Sequence, residues 1–159
     1  MSDVTYTYTD FVDDSQPPIL EFSGPNRFLS NFYPARFQYK DMYWPCAENA
    51  YQAMKSDNPD VWEQFLTLTA SEAKQAGKRV AIRSDWEHVK VDIMSEIVLR
   101  KFAQNVGLRQ LLMNTGKRRL IEGNYWHDRF WGVCPVGSDM GQNMLGNILM
   151  VVRYRLSVA

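Results

Sequence analysis

The spacing of hydrophobic and polar residues changes several times along the chain, and each change marks an element. Behind Ser84-Asp85-Trp86-Glu87, the residues Val89, Ile93, Ile97 and then Val98 or Phe102 recur at helical spacing, which predicts one apolar stripe with a charged reverse face. Asn143 to Leu156 behaves in the same way, with Leu145, Ile148, Leu149 and Val152 on one side. Phe37 to Trp44 instead clusters aromatics about a polar Lys40-Asp41 pair, as a small hairpin does. Ile19 to Phe22 reads as a short strand stopped by Ser23-Gly24-Pro25-Asn26, and Leu120-Ile121 as another brief one.

Helix starts are marked by residues that satisfy the first free N–H groups. Pro45 suits the first turn of a helix because its missing N–H would be unpaired there, and Ala47 through Lys55 are mostly good helix formers. A further helix is predicted behind Asn58-Pro59. Thr69-Ala70-Ser71-Glu72 and Ser84-Asp85-Trp86-Glu87 both have the S/T-x-x-E form, in which hydroxyl and carboxylate satisfy reciprocal N–H groups. Leu108 to Met113 is expected to be helical, and Gly123 to Gly141 to be a long loop rich in Trp, Asp and Gly. Together these elements predict an α+β fold: a helix-dominated single domain with a few short strands.

Length and composition narrow this picture. At 159 residues and 45% hydrophobic the chain supports one well-formed core and is short for two ordinary domains. Residues 1–18, with Asp3, Asp10, Asp13, Asp14 and Pro17-Pro18, are expected to form a loosely ordered extension ahead of a domain over 19–159, with Tyr6-Thr7-Tyr8 as a candidate edge strand. Lys+Arg and Asp+Glu both number 18, so no global field draws the protein to nucleic acid or an anionic membrane, and phosphate recognition has to be local. Cys46 and Cys134 lack CxxC spacing and the histidines are only His88 and His127, so neither a disulfide framework nor a metal site is signalled. No apolar stretch approaches the roughly 20 residues of a membrane span, and a reducing cytoplasm is the expected location.

Candidate chemistry lies in two places. Glu48, Tyr51, Gln52 and Lys55 stand at i, i+3, i+4 and i+7, which stacks a carboxylate, a phenol, an amide and an amine on one side of the Pro45 helix. Ala47, Ala50, Ala53 and Met54 can pack against the core, leaving that row to face a cleft or water; spacing alone favours the ordinary solvated face. The loop from Gly123 to Gly132 sets Asp128, His127 and Arg129 among Tyr125, Trp126, Phe130 and Trp131. Aromatics there can sandwich a base. Gly132 and Gly141 can bring backbone N–H groups close to phosphate oxygens, with Asn143 leading into the last helix. Taken singly, Trp126 and Trp131 are more often core anchors, and an Asp128 paired with Arg129 or Arg153 more often structural.

Taken together, these residues resemble the NADAR, or YbiA-like, family from about Phe22 to Arg153. The matching pieces are Phe22-Ser23-Gly24 with Leu29-Ser30-Asn31-Phe32, then Trp44-Pro45, Ala47-Glu48, Tyr51-Gln52-Ala53 and Lys55. Further along come Arg83-Ser84-Asp85-Trp86, Lys101-Phe102, Thr115-Gly116, the run from Asn124 through Trp126 and Asp128 to Gly132, and Gly141-Gln142-Asn143-Met144-Leu145-Gly146. Their shared order carries the resemblance, since no single piece is decisive. One departure is Lys78 after Gly77, where many members resemble Gly-Arg; a lysine is a point charge and gives up bidentate phosphate contact.

The resemblance implies N-glycosidase chemistry on ribosylated substrates, no metal or other cofactor, and a site at Glu48, Lys55, Trp86 and Asp128. Breaking a ribosyl C–N bond builds positive charge on the sugar and negative charge on the base, so Glu48 and Asp128 are assigned as a carboxylate pair. Lys55 is either a Schiff-base amine or a binding residue. Trp44, Trp86, Trp126 and Trp131 are candidates for stacking, with Trp86 and Trp131 preferred. Tyr51, Gln52 and the Gly132 backbone are further binding candidates, while Arg27, Asn31, Arg129 and Asn143 are assigned to sugar or phosphate. The expected partner is a ribosylated nucleobase, a nucleotide or an ADP-ribose-type small molecule, with ADP-ribosylated nucleic acid as an extension. The competing class is a non-catalytic module that binds ADP-ribose or NAD derivatives.

Overall fold

The computed structural model describes residues 11–159, so the strand considered at Tyr6-Thr7-Tyr8 lies outside the described residues. The chain divides into two compact units, Arg27–Arg109 and, separately, the residues up to Asn26 with Gln110–Ala159. Among the described residues the fold is helix-dominated α+β with a two-stranded sheet. No helix there is long and apolar enough to cross a membrane.

In the unit Arg27–Arg109, β1 (Phe37–Tyr39) pairs antiparallel with β2 (Met42–Trp44), Phe37 opposite Trp44 and Tyr39 opposite Met42. Lys40 and Asp41 sit at φ 55° and 58°, the left-handed conformation that a two-residue turn needs to match strand twist. Four helices follow: α1 (Ala47–Ala53), α2 (Pro59–Glu63), α3 (Ala70–Gly77) and α4 (Trp86–Gln104). The Thr69 box forms as written, with Thr69 Oγ1 accepting from Glu72 N at 3.1 Å and Glu72 Oε1 accepting from Thr69 N at 3.0 Å. Asn58 caps α2 by accepting from Asp60 N, with Pro59 in its first turn.

Two expected starts differ. Pro45 precedes the Cys46 cap of α1 instead of entering the first turn. The box expected at Ser84 does not form; α4 begins at Trp86 behind Asp85, whose carboxylate is held by Arg83 Nε at 2.6 Å and has no capping bond. The core of this unit is Phe37, Trp44, Met54, Ile97, Val98 and Phe102, each 1% exposed or less. Burying one such side chain contributes about 1.5–3 kcal/mol. That packing matters most for α1, which is too short to hold itself by helix propensity. It is buried at all its residues and lies against α3 and α4.

The other unit is built on α6 (Met144–Ser157), with the C-terminal part of α5 (Val106–Asn114) and irregular chain. The strands expected at Ile19 and Leu120 shrink to an isolated parallel bridge between those two residues. Val12 is 3% exposed, Asp13 N donates to Lys117 O, and Arg118 Nε donates to Pro17 O, so residues 11–18 are bound to their own unit by side chain and backbone. Buried Arg153 on α6 donates to Thr115 Oγ1 at 2.9 Å and to Phe11 O at 2.8 Å. Burial lowers its pKa to about 10.

Candidate functional site

On α1 the polar row is buried instead of solvated. Glu48, in the first turn where the helix dipole favours a carboxylate, is 7% exposed and Gln52 is 6% exposed. Gln52 Nε2 donates to Glu48 Oε1 at 2.8 Å. A carboxylate only accepts, so this contact fixes which way the Gln52 amide points. Its other atom, Oε1, is buried with no hydrogen-bond partner among the described residues. That oxygen is pressed on Gly77: a Cβ built there would lie 1.9 Å from Gln52 Oε1 and 2.6 Å from its Cδ. The last residue of α3 is therefore glycine because the Gln52 amide occupies the space of a side chain.

One turn further, Lys55 is partly buried. Its ammonium sits 5.9 Å from the Tyr51 ring centroid, and the Tyr51 and Trp86 rings stand 5.3 Å apart at 48°. Burial pushes the Lys55 pKa below that of an ordinary lysine; the Glu48 carboxylate opposes this and the Lys78 ammonium adds to it. The arrangement is a carboxylate on α1 and an amine of reduced basicity in the turn just past its end, where the helix stops short of the expected Lys55, beside an aromatic pair.

Two anchors hold the row in place. The backbone of Asn31 accepts from Glu48 N at 3.0 Å, and Asn31 Nδ2 reaches Met94 Sδ at 3.5 Å. The turn before Asn31 is tied to α4 by Lys101, which is 1% exposed and donates through Nζ to Phe28 O at 2.8 Å and Ser30 O at 2.9 Å. Burial lowers the Lys101 pKa to about 7, against the opposing influence of Cys46.

Asp128 belongs to the other unit and is organised as a turn-former. Its Oδ1 accepts from Phe130 N at 3.1 Å and Trp131 N at 2.9 Å. Asn124, 1% exposed, donates to Asp128 O and accepts from Asp128 N. Trp131 stands edge-on to Phe130 at 4.8 Å, Trp126 is 58% exposed, and Arg129 Nε donates to Cys134 O.

Glu48, Tyr51, Gln52, Lys55, Trp86 and Asn31 are thus gathered in one unit, with Arg27 exposed in the same unit. Three expectations are corrected. Trp44 is fully buried with Nε1 donating to Tyr39 O, so its ring is a core piece with no face for a base. Asn143 spends its side chain on Glu122 N and Leu120 O. The N–H groups expected to meet phosphate at the start of α6 are also taken: Asn143 N, Met144 N and Leu145 N donate to the carbonyls of Gly132, Phe130 and Trp131. Gly132 itself is required by packing, since a Cβ there would run into Glu122. Sequence reasoning missed Lys101 and Gly77. The first was visible as a charge inside the apolar stripe of Ile97, Val98 and Phe102, the second as a glycine in an otherwise helical pattern.

Comparison with known proteins adds family evidence. The model of the NADAR domain matches residues 19–157. An N-glycosidase of Nostoc punctiforme is 37% identical over 138 residues, 83% of this chain and 86% of that protein. A riboflavin biosynthesis protein of Vibrio vulnificus is 40% identical over 134 residues, 81% of this chain, and the match spans only 35% of that longer protein. The NMR structure of the Escherichia coli protein YbiA superposes with a TM-score of 0.78 at 29% identity, covering 90% of this chain and 87% of that one.

Proposed function

The chain belongs to the NADAR family, and on that premise we propose that it is an N-glycosidase, cleaving the bond between a phosphate-bearing ribosyl group and a base nitrogen. The observation that carries this reading is the buried Glu48–Gln52 pair with half-buried Lys55 beside Tyr51 and Trp86. Acid and amide are withdrawn from water on one short helix and the amine is half-withdrawn in the turn that follows it, where their interactions with developing charge are strengthened. Relatives named for N-glycosidase activity and for riboflavin biosynthesis point the same way.

In the proposed reaction the C1′–N bond breaks with its electron pair going to the base. Water supplies hydroxyl to C1′ and the base gains a proton. Glu48, which accepts the Gln52 N–H, takes the anionic role: it stabilises the cationic sugar or accepts the proton of the attacking water. Asp128 is the second carboxylate of this reading. The reduced basicity of Lys55 favours a second route, in which its neutral amine captures the ring-opened sugar aldehyde as an imine and releases water.

For substrate we propose a phosphorylated ribosylamino-pyrimidine, with ADP-ribosylated guanine as the other member of the class, and a cytoplasmic setting. Incubation with both compounds and detection of the freed base by mass tests the reading. Release from either is the expected result. Calorimetric binding of ADP-ribose without release of any base would instead make the protein a binding module.

A further inference from the structure

A cavity of about 460 Å³ opens in the unit Arg27–Arg109, between the hairpin, the end of α1, α2 and α4. Its lining combines apolar Trp62, Val89 and Ile93 with the acids Asp57, Asp92 and Glu96 and the bases Lys40 and Arg83. A neighbouring cavity of about 450 Å³ shares Tyr39, Lys40 and Glu96 with it. None of the groups used by the proposed glycosidase lines either one.

Tyr39 is the informative residue. It is 5% exposed, it lines both cavities, and its hydroxyl has no hydrogen-bond partner among the described residues. The hydroxyl is not among the buried atoms left without a partner, so it remains open to the cavity, where it can donate or accept one hydrogen bond to a ligand. Burial, and next the Glu96 carboxylate, raise the Tyr39 pKa, so the phenol stays neutral and keeps its lone pairs and its proton available.

Charge decides what that group is. Arg83 is held by Asp85 at 2.6 Å and Glu96 by Arg100 at 2.6 Å, so two of the charges around the cavity are already balanced. Asp57 and Asp92 form no ion pair or hydrogen bond among the described residues; Asp57 acts on the Arg83 charge, while the Lys40 ammonium and the Arg100 guanidinium each lie 5.7 Å from the Tyr39 ring centroid. The uncommitted charge is therefore negative. An ammonium can donate to the Tyr39 oxygen and to Asp92, while an apolar body covers Ile93 and Val89 and meets the Trp62 ring.

We propose that this cavity is a second ligand site, selective for a small organic ammonium compound with an aromatic or aliphatic body, built on the Tyr39 hydroxyl, Asp92 and Trp62. Calorimetry of the full chain at neutral pH with phenethylammonium, and with phenethyl alcohol and hydrocinnamate as neutral and anionic counterparts, tests it. Saturable binding of the ammonium is expected, at least about tenfold tighter than of the other two, and about tenfold weaker in Tyr39→Phe, which loses one hydrogen bond. Asp92→Asn, on an exposed residue, is expected to weaken it similarly, with melting curves of both variants unchanged. Saturating ribose 5-phosphate is expected not to compete, which separates this site from the Glu48 row. Absence of saturable binding, equal binding of hydrocinnamate, an unaltered Tyr39→Phe titration, or displacement by ribose 5-phosphate would each overturn the proposal.

Discussion

Gln52 holds the Glu48 carboxylate through its amide nitrogen at 2.8 Å and turns its amide oxygen onto the backbone of Gly77. The proposed anionic group of the reaction is therefore positioned by the absence of a side chain on a different helix. Gly77→Ala has to displace Gln52 at its Cδ as well as its tip, and with it the donor on Glu48. We expect a loss of stability of about 1–3 kcal/mol, typical of overpacking, together with a fall in kcat/KM. Denaturant melts and base-release kinetics on the same preparation check both; full activity in the folded variant would contradict this positioning.

Lys101 makes a pH-dependent contribution with a definite sign. Its folded pKa is about 7, whereas an unfolded lysine titrates near 10.4, so between those values the unfolded chain binds more protons and this residue's contribution to stability rises with pH. Lys101→Met removes that dependence. It also leaves the Phe28 and Ser30 carbonyls without their donor, at a cost of about 1–3 kcal/mol each. Melting measured from pH 6 to 10 should show the gap between wild type and variant widening as pH rises; a constant gap would contradict it.

For Asp128 two substitutions separate turn from chemistry. Asparagine keeps an oxygen that accepts from Phe130 N and Trp131 N, and alanine removes it. Asp128→Asn is expected to melt like wild type yet lose most turnover, whereas Asp128→Ala loses stability as well. If the asparagine variant turned over at the wild-type rate, Asp128 would be a structural residue only.

The Lys55 amine should respond oppositely to its two charged neighbours. Glu48 raises its pKa and Lys78 lowers it, so Glu48→Gln shifts the titration of Lys55 to lower pH and Lys78→Gln shifts it to higher pH. The pH dependence of Lys55 acylation, followed by peptide mass, measures both. Borohydride added during turnover should leave the sugar's mass on the Lys55 peptide if the imine route operates.

Local chemistry was the part of the structure most legible in the sequence. The Thr69 box, the Asn58 cap and the Lys40-Asp41 turn are satisfied within a few residues of themselves, so their signals are complete where they are written. Ser84 fails by the same logic: α4 starts one residue later, behind Asp85, and the Glu87 carboxylate that the box needs is bound by Lys90 Nζ at 2.7 Å, a competition that a capping pattern does not contain. Spacing put Glu48 and Gln52 on one side of α1, but their burial depends on α3 and α4, which pattern alone does not place, and Lys55, expected on the same helix, falls in the turn just past its end. Likewise the carbonyls that hold Lys101 lie 73 and 71 residues away in sequence. The open helix start expected before α6 was misread because its N–H groups are answered by the backbone of the preceding loop, which has no sequence signature.

The most direct test of the central claim is base release by Glu48→Gln. Glutamine preserves the size of the side chain and an oxygen able to accept from Gln52 Nε2, so the variant should fold as wild type does. With a phosphorylated ribosylamino-pyrimidine or ADP-ribosylated guanine, whichever the wild type cleaves, turnover should fall by about 10²-fold or more, the scale of a positioned acid–base group. A correctly folded Glu48→Gln protein that frees the base at the wild-type rate would contradict the account.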